Sequence, residues 1–192
     1  MHSYSVDTQI RKFIFSSLGV IAFLLAAYLN RTFASLPAFG VSFGAVFGLL
    51  VFCFDQWLWK LLARFNLLPN LNGTWVGQGT SSYVDDSGVP VKYESSFKIK
   101  QTFTNIEVFM ETDSSTSKSV LAGLHVNTAS PELIYVYDNK PKNSAPEDMK
   151  GHSGTQWLRF SGGNTLKGDY FTGRGRGRTG TLVFKKDTNC GN

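Results

Sequence analysis

Three arginines separated only by single glycines, Arg174, Arg176 and Arg178, lie in the stretch LKGDYFTGRGRGRTG from Leu166 to Gly180. Guanidinium groups hold phosphate in two-pronged fashion. Just before them, strand alternation puts Leu166, Gly168, Tyr170 and Thr172 on one face. If Leu166 points inward, Tyr170 and Thr172 line a lumen and Arg174 carries that face to its rim. Gly168 and Gly180 would leave room for a ligand or let strands approach closely. Tyr135 and Tyr137 alternate on one face of another run, and Trp157 stands on the next. Such rings can stack on nucleobases. The same residues have a plainer use as a Gly-rich hairpin with solvated arginines, resting on acidic lipid, and as ordinary core or surface aromatics.

Catalytic groupings are thin. The histidines are His2 in the tail, His125 in a strand and His152 in a loop. No Cys/His cluster has metal-ligand spacing, and neither a Gly-x-Ser-x-Gly elbow nor a phosphate loop occurs. The paired carboxylates Asp85-Asp86 and Glu147-Asp148 fall in turn-like sequence. The reading is therefore of a binder and not an enzyme, with no metal and no cofactor. Net charge is +5, yet residues 66–192 carry 14 Lys/Arg against 12 Asp/Glu. A general binder of DNA or RNA shows a larger basic excess in its soluble domain.

These residues must be held by strands. From Gly73 onward Thr, Val, Tyr, Phe and Trp are punctuated by Gly, Asn, Asp and Ser, the vocabulary of strands and turns. Strand-like runs fall near 73–83, 91–103, 106–112, 119–127, 132–138, 154–161, 165–173 and 178–186, with turns at DDSG, SGGN and GRGRG. The stretch DNKPKNSAPEDMKGHSG is read as a loop. Short links favour a meander, and eight strands close into an antiparallel up-and-down β-barrel that can hold a small ligand in its mouth. Asn72-Gly73-Thr74-Trp75 resembles the opening of lipocalin-like barrels, in which the tryptophan plugs the closed end.

The N-terminal third differs. Phe13–Leu29 and Phe33–Phe54 are uncharged, mostly apolar runs with no polar stripe, each long enough for a membrane helix. The domains expected are a transmembrane hairpin over 1–64 with spans near 13–29 and 36–54, a linker over 65–72, and a cytoplasmic barrel over 73–192. Arg11 and Lys12 precede the first span and Lys60 and Arg64 follow the second, while Arg31 alone lies between them. The positive-inside rule then puts both termini in the cytoplasm. Cys53 falls in a span and Cys190 in the tail, which argues against an intrachain disulfide. Gly40, Gly44 and Gly48 recur at steps of four, a ridge for close helix packing within one chain or between chains.

Taken together, the two-span hairpin, the linker Leu68-Pro69-Asn70-Leu71, the Asn72-Gly73-Thr74-Trp75 start and the Tyr170-Phe171-Thr172-Gly173-Arg174 run give a resemblance over essentially the whole chain. The chain resembles the two-transmembrane β-barrel effectors of bacterial cyclic-oligonucleotide-based anti-phage signalling (CBASS). The resemblance implies a multi-pass protein of the bacterial inner membrane. Its barrel would bind a cyclic dinucleotide made by a cognate nucleotidyltransferase, self-assemble into a homo-oligomer, and disrupt membrane lipid through its spans, killing the infected cell. Tyr135, Tyr137, Trp157, Tyr170, Thr172, Arg174, Arg176 and Arg178 are the ligand-site candidates. The rivals are a membrane-anchored lipocalin-like carrier of an apolar ligand and an enzyme such as a phosphodiesterase.

Overall fold

The computed structural model describes every residue except 1, 4, 7, 37–39, 66, 127–129, 146–148, 163, 174–176 and 189–192. The chain divides into two compact units, Asp7–Leu68, and Pro69–Asn192 together with Met1–Val6.

The second of these is a closed antiparallel barrel. Two short N-terminal strands, β1 (His2–Ser3) and β2 (Ser5–Val6), come first in the chain. The wall follows as β3 (Gly73–Val84), β4 (Pro90–Gln101), β5 (Asn105–Glu111), β6 (Ser115–His125), β7 (Glu132–Pro141), β8 (His152–Phe160), β9 (Thr165–Thr172) and β10 (Thr179–Lys186). Each strand pairs with the next, and β10 closes on β3 from Gly180↔Ser81 to Lys186↔Trp75. All eight strands read from the sequence are present as an up-and-down meander. The main boundary error is β6, which starts at Ser115 and not near 119.

One seam is incomplete. β5 and β6 pair only from Phe109↔Lys118 to Glu111↔Thr116. Below that the Val108 amide donates to Ser119 Oγ (2.9 Å), and β6 carries an irregularity between Ser119 and Leu121. The N-terminal strands border the gap: β1 runs antiparallel to β5 (His2↔Ile106) and β2 parallel to β6 (Ser5↔Gly123). Segments this short carry no periodicity, so the sequence gives no sign of them.

The lower barrel is a packed core, as alternation demands. Trp75, Phe97, Phe103, Ile106, Leu158 and Phe184 are completely buried, with Phe97 and Phe184 centroids 3.9 Å apart. Trp75 Nε1 donates to Leu71 O (2.9 Å), so the tryptophan does plug this end. The segment Pro69–Asn72 is fastened there as well. Gln101 Oε1 accepts from the Leu71 backbone N–H (2.8 Å), and the Gln101 backbone N–H donates to Asn72 Oδ1 (2.6 Å). Lys186 covers Trp75, its ammonium 5.6 Å from the ring, and its pKa is lowered by burial.

The other unit is a helical hairpin. α1 (Thr8–Thr32) is followed by α2 (Phe43–Cys53), a π-helical turn at Phe54–Leu58 and α3 (Trp59–Arg64). Two stretches, Ile10–Thr32 and Phe43–Arg64, are long and apolar enough to cross a membrane. Their large apolar side chains point outward, Phe23 at 63 % and Leu49 at 63 % exposure, while small Ala22, Ala26 and Val46 fill the contact between the helices. That inverts a soluble protein's pattern and suits lipid. The second helix starts later than the expected position near 36. Asn30 pins the incoming chain through its amide, accepting from Val41 N (2.8 Å) and donating to Val41 O (2.9 Å). Ser42 then caps the helix by accepting from Ala45 N (3.1 Å). Gly40 consequently precedes the helix and is no part of a ridge on it. Gly44 and Gly48 are on it, and a Cβ at either would meet nothing within 4 Å.

Candidate functional site

Above the core the lumen opens into a cavity of about 480 Å³. Three tyrosines dominate it: Tyr93 of β4, Tyr137 of β7 and Tyr170 of β9. Each lies opposite a glycine in the ladder, the pairs being Gly79↔Tyr93, Tyr137↔Gly154 and Gly180↔Tyr170. A Cβ on those glycines would come within 2.2 Å of Tyr93 Cζ, 2.4 Å of Tyr137 Oη and 2.4 Å of Tyr170 Cε1. The rings therefore lie down across the strands because the glycines have no side chains, and they face the lumen as fixed platforms. Tyr93 and Tyr170 meet edge to face at 6.5 Å. Gly168 serves another purpose: its missing Cβ would be 1.8 Å from Trp157 O, so it permits a close approach of strands.

The floor is Tyr135, whose hydroxyl donates to Gln156 Oε1, with Gln156 Nε2 reaching Met110 Sδ (3.4 Å). Burial pushes the Tyr135 phenol well above its usual pKa, so it stays a neutral donor. The wall on the β6–β7 side is polar. Asn139 Nδ2 donates to Ser115 Oγ and Ser117 Oγ (2.9 Å each), and Ser115 Oγ lies 3.0 Å from Thr112 Oγ1.

At the rim, Arg178 stacks on Tyr83 with its guanidinium carbon 4.1 Å from the ring centroid. Thr172 ties the base of that loop: its hydroxyl donates to Arg178 O (3.0 Å) and accepts from Arg178 N (2.7 Å). A shallower depression of about 520 Å³ notches the wall beside the mouth, lined in part by Glu94, Ser95, Glu111, Asp113 and Lys142. It lies where β4 runs on past Ser96↔Glu111, the last pair it makes with β5.

Of the candidates read from sequence, Tyr137, Tyr170, Thr172 and Arg178 line the cavity, and Tyr135 lies beneath it. Trp157 does not join them. It is on the outer wall, 40 % exposed, with the Arg159 guanidinium 5.5 Å from its ring centroid. Arg174 and Arg176 fall outside the described residues, as do Glu147 and Asp148. Asp85 is occupied by its own turn, accepting from Ser87 Oγ (2.6 Å), Val89 N (3.0 Å) and Ser87 N (2.9 Å), and these contacts hold its pKa down. His152 is the first residue of β8, not a loop residue, and it lines the cavity edge-on to Tyr137. Sequence reasoning missed Tyr93, Ser115, Ser117 and Asn139. A Tyr-to-Gly pairing across strands is the signal for the first and a run of alternate serines for Ser115 and Ser117, while Asn139 is found only through its place opposite Ser117.

Residues 66–186 match the family model described as "Cap15, cyclic dinucleotide receptor domain". Among curated proteins, the chain is 28 % identical over 177 residues to CD-NTase-associated protein 15 of Yersinia aleksiciae, covering 90 % of this chain and 83 % of that one. It is 32 % identical over 132 residues to CD-NTase-associated protein 15 of Staphylococcus schleiferi, covering 68 % of each.

Proposed function

Because this chain belongs to the Cap15 family of CBASS effectors, we propose that its barrel mouth binds a cyclic dinucleotide and that binding sets off membrane disruption by the helical hairpin. The observation that carries the reading is the cavity itself, with three glycine-seated tyrosines as stacking platforms and Arg178 at the rim. Two bases can stack on the rings, while Arg178, with Arg174 and Arg176 close before it in the sequence, holds the phosphates. The polar wall of Thr112, Ser115, Ser117 and Asn139 favours this over the apolar-ligand carrier, whose cargo would leave the buried Asn139 Oδ1 without a partner.

Ligand-bound chains then associate. Support comes from α2, where Gly44 and Gly48 face open space while the hairpin packs through Ala22, Ala26 and Val46. The ridge is left for helices of other chains, and assembled spans breach the inner membrane. Both termini face the cytoplasm, where a nucleotidyltransferase product is made. Calorimetry of the detergent-solubilised full chain against a panel of cyclic dinucleotides tests the first step. Binding of at least one member is expected. Binding of a fatty acid and of no dinucleotide would install the carrier instead.

A further inference from the structure

Buried polar atoms in folded proteins have partners almost without exception, so those that lack one call for an explanation. Among the described residues of the barrel, two buried side-chain polar atoms have none, Ser95 Oγ and Asn139 Oδ1. Ser95 lines the notch in the wall and Asn139 lines the mouth cavity. The core below has no such orphan. The unmet hydrogen-bonding capacity is thus at the two hollows of the wall, and in the mouth cavity it belongs to Asn139.

Asn139 is only 8 % exposed, and both protons of its amide are already given to Ser115 Oγ and Ser117 Oγ. Ser117 faces it directly across the β6–β7 ladder. With Nδ2 donating into its oxygen, the Ser117 hydroxyl must turn its own proton elsewhere, and no described group accepts it. The pair therefore offers one acceptor, Asn139 Oδ1, beside one donor, the Ser117 hydroxyl. The Watson–Crick edge of a nucleobase sets a donor next to an acceptor and is its complement. Turning the amide over exchanges the roles: the serines donate to Oδ1 and Nδ2 is left to donate, so one end of the amide stays unpaired either way. The terminal torsion of asparagine is broad, so a modest rotation presents that end to the cavity.

Position agrees with chemistry. Asn139 follows Tyr137 by two residues on the same face of β7, and His152 faces it from β8. A base lying on the Tyr137 ring would turn its edge to Asn139. Asn139, Ser117 and Ser115 are themselves uncharged, so they suit a base edge and not a phosphate, for which Arg178 is placed. We propose that Asn139 and Ser117 read the edge of one nucleobase and are specificity-determining residues of this site. The proposal rests on the dinucleotide reading above and adds which wall distinguishes one dinucleotide from another. A ligand lacking a polar edge leaves the amide unpaired and is rejected for that reason.

The test is calorimetry of the full chain in detergent against cyclic dinucleotides that differ in one base, including an adenine-to-hypoxanthine pair that loses the exocyclic amino group. The wild-type protein should rank them over about tenfold or more. Asn139→Ala and Ser117→Ala should each compress that range to within about threefold while still binding through the tyrosines and Arg178. If Asn139→Ala loses its cooperative melt, Ser117→Ala, which removes a single oxygen, carries the comparison. Retention of the wild-type ranking in the folded variants overturns the proposal and leaves the amide as a holder of structural water. A wild-type protein that binds dinucleotides without ranking them overturns it also, with the dinucleotide reading intact. Failure to bind any dinucleotide overturns both.

Discussion

Gly79→Ala is the most economical way to ask whether the tyrosine platforms bind ligand. The new Cβ would lie 2.2 Å from Tyr93 Cζ, 2.5 Å from its Oη and 2.6 Å from its Cε2. Carbon atoms in contact prefer about 3.5–4.0 Å, so the ring must withdraw by more than about 1 Å. At Gly154 and Gly180 an added Cβ would also come within 2.5 Å of Phe171 O and 2.3 Å of Thr80 O, which are backbone. At Gly79 the nearest atoms all belong to the far end of one half-buried side chain, so the fold should lose no more than about 1–3 kcal/mol. The ligand loses a fixed stacking surface, for which about 1–3 kcal/mol per base is typical. Affinity for the best cyclic dinucleotide should therefore fall by about 5- to 150-fold. Tyr93→Ala should fall by a similar amount, and adding Gly79→Ala to it should cost little more, because the alanine then has no ring to displace. Calorimetry on the three variants, with thermal melts to confirm folding, measures the cycle. A folded Gly79→Ala that binds like wild type, or that weakens binding equally with and without Tyr93, would refute the reasoning.

Arg178→Ala should weaken dinucleotide binding by about 1.5–3 kcal/mol, the range for a charged hydrogen bond, and flatten its salt dependence; unchanged calorimetry in low salt would remove Arg178 from the site. Gly44→Leu should abolish growth arrest on signalling while leaving dinucleotide affinity intact, since it fills the open ridge on α2; a variant that still permeabilises vesicles would place the contact between chains elsewhere. A flexible Gly/Ser insert after Leu67 should weaken killing by diluting hairpins that assembled barrels hold together; full killing with a long insert would argue against coupling by proximity. A reporter fused after Asn192 should be active in the cytoplasm, and one inserted near Ala34 should be active in the periplasm; a periplasmic C-terminus would deny the barrel its signal.

The barrel was legible because its lower half obeys simple alternation, as in β5, where Ile106, Val108 and Met110 point in and Glu107, Phe109 and Glu111 point out. The same rule failed at the mouth, where the inward positions are themselves polar. Ser115, Ser117 and Ser119 face the lumen, so the start of β6 reads as a turn, and Asn139 at the end of β7 reads as loop. Tyr93 was overlooked because its role depends on register: only the ladder reveals that Gly79 lies opposite it. The glycine spacing in the second apolar run misplaced the helix start, since a side chain eleven residues upstream, Asn30, holds Val41 outside the helix. Trp157 could not be oriented without knowing that its neighbours Gln156 and Leu158 are the buried ones.

The pairing of β1 and β2 with the β5–β6 seam turns membrane topology into a question of parity. A segment that precedes the helices can add to a barrel that follows them only if both lie on one side of the bilayer, so reading the helices as membrane spans requires an even number of crossings. It also imposes a schedule on synthesis. His2 and Ser3 leave the ribosome long before their partners Ile106 and Asn105 exist, and both helices of the hairpin emerge in the interval. Those two strands therefore wait for their places in the wall while the whole helical hairpin is made, and the finished seam ties the first residues of the chain to its middle.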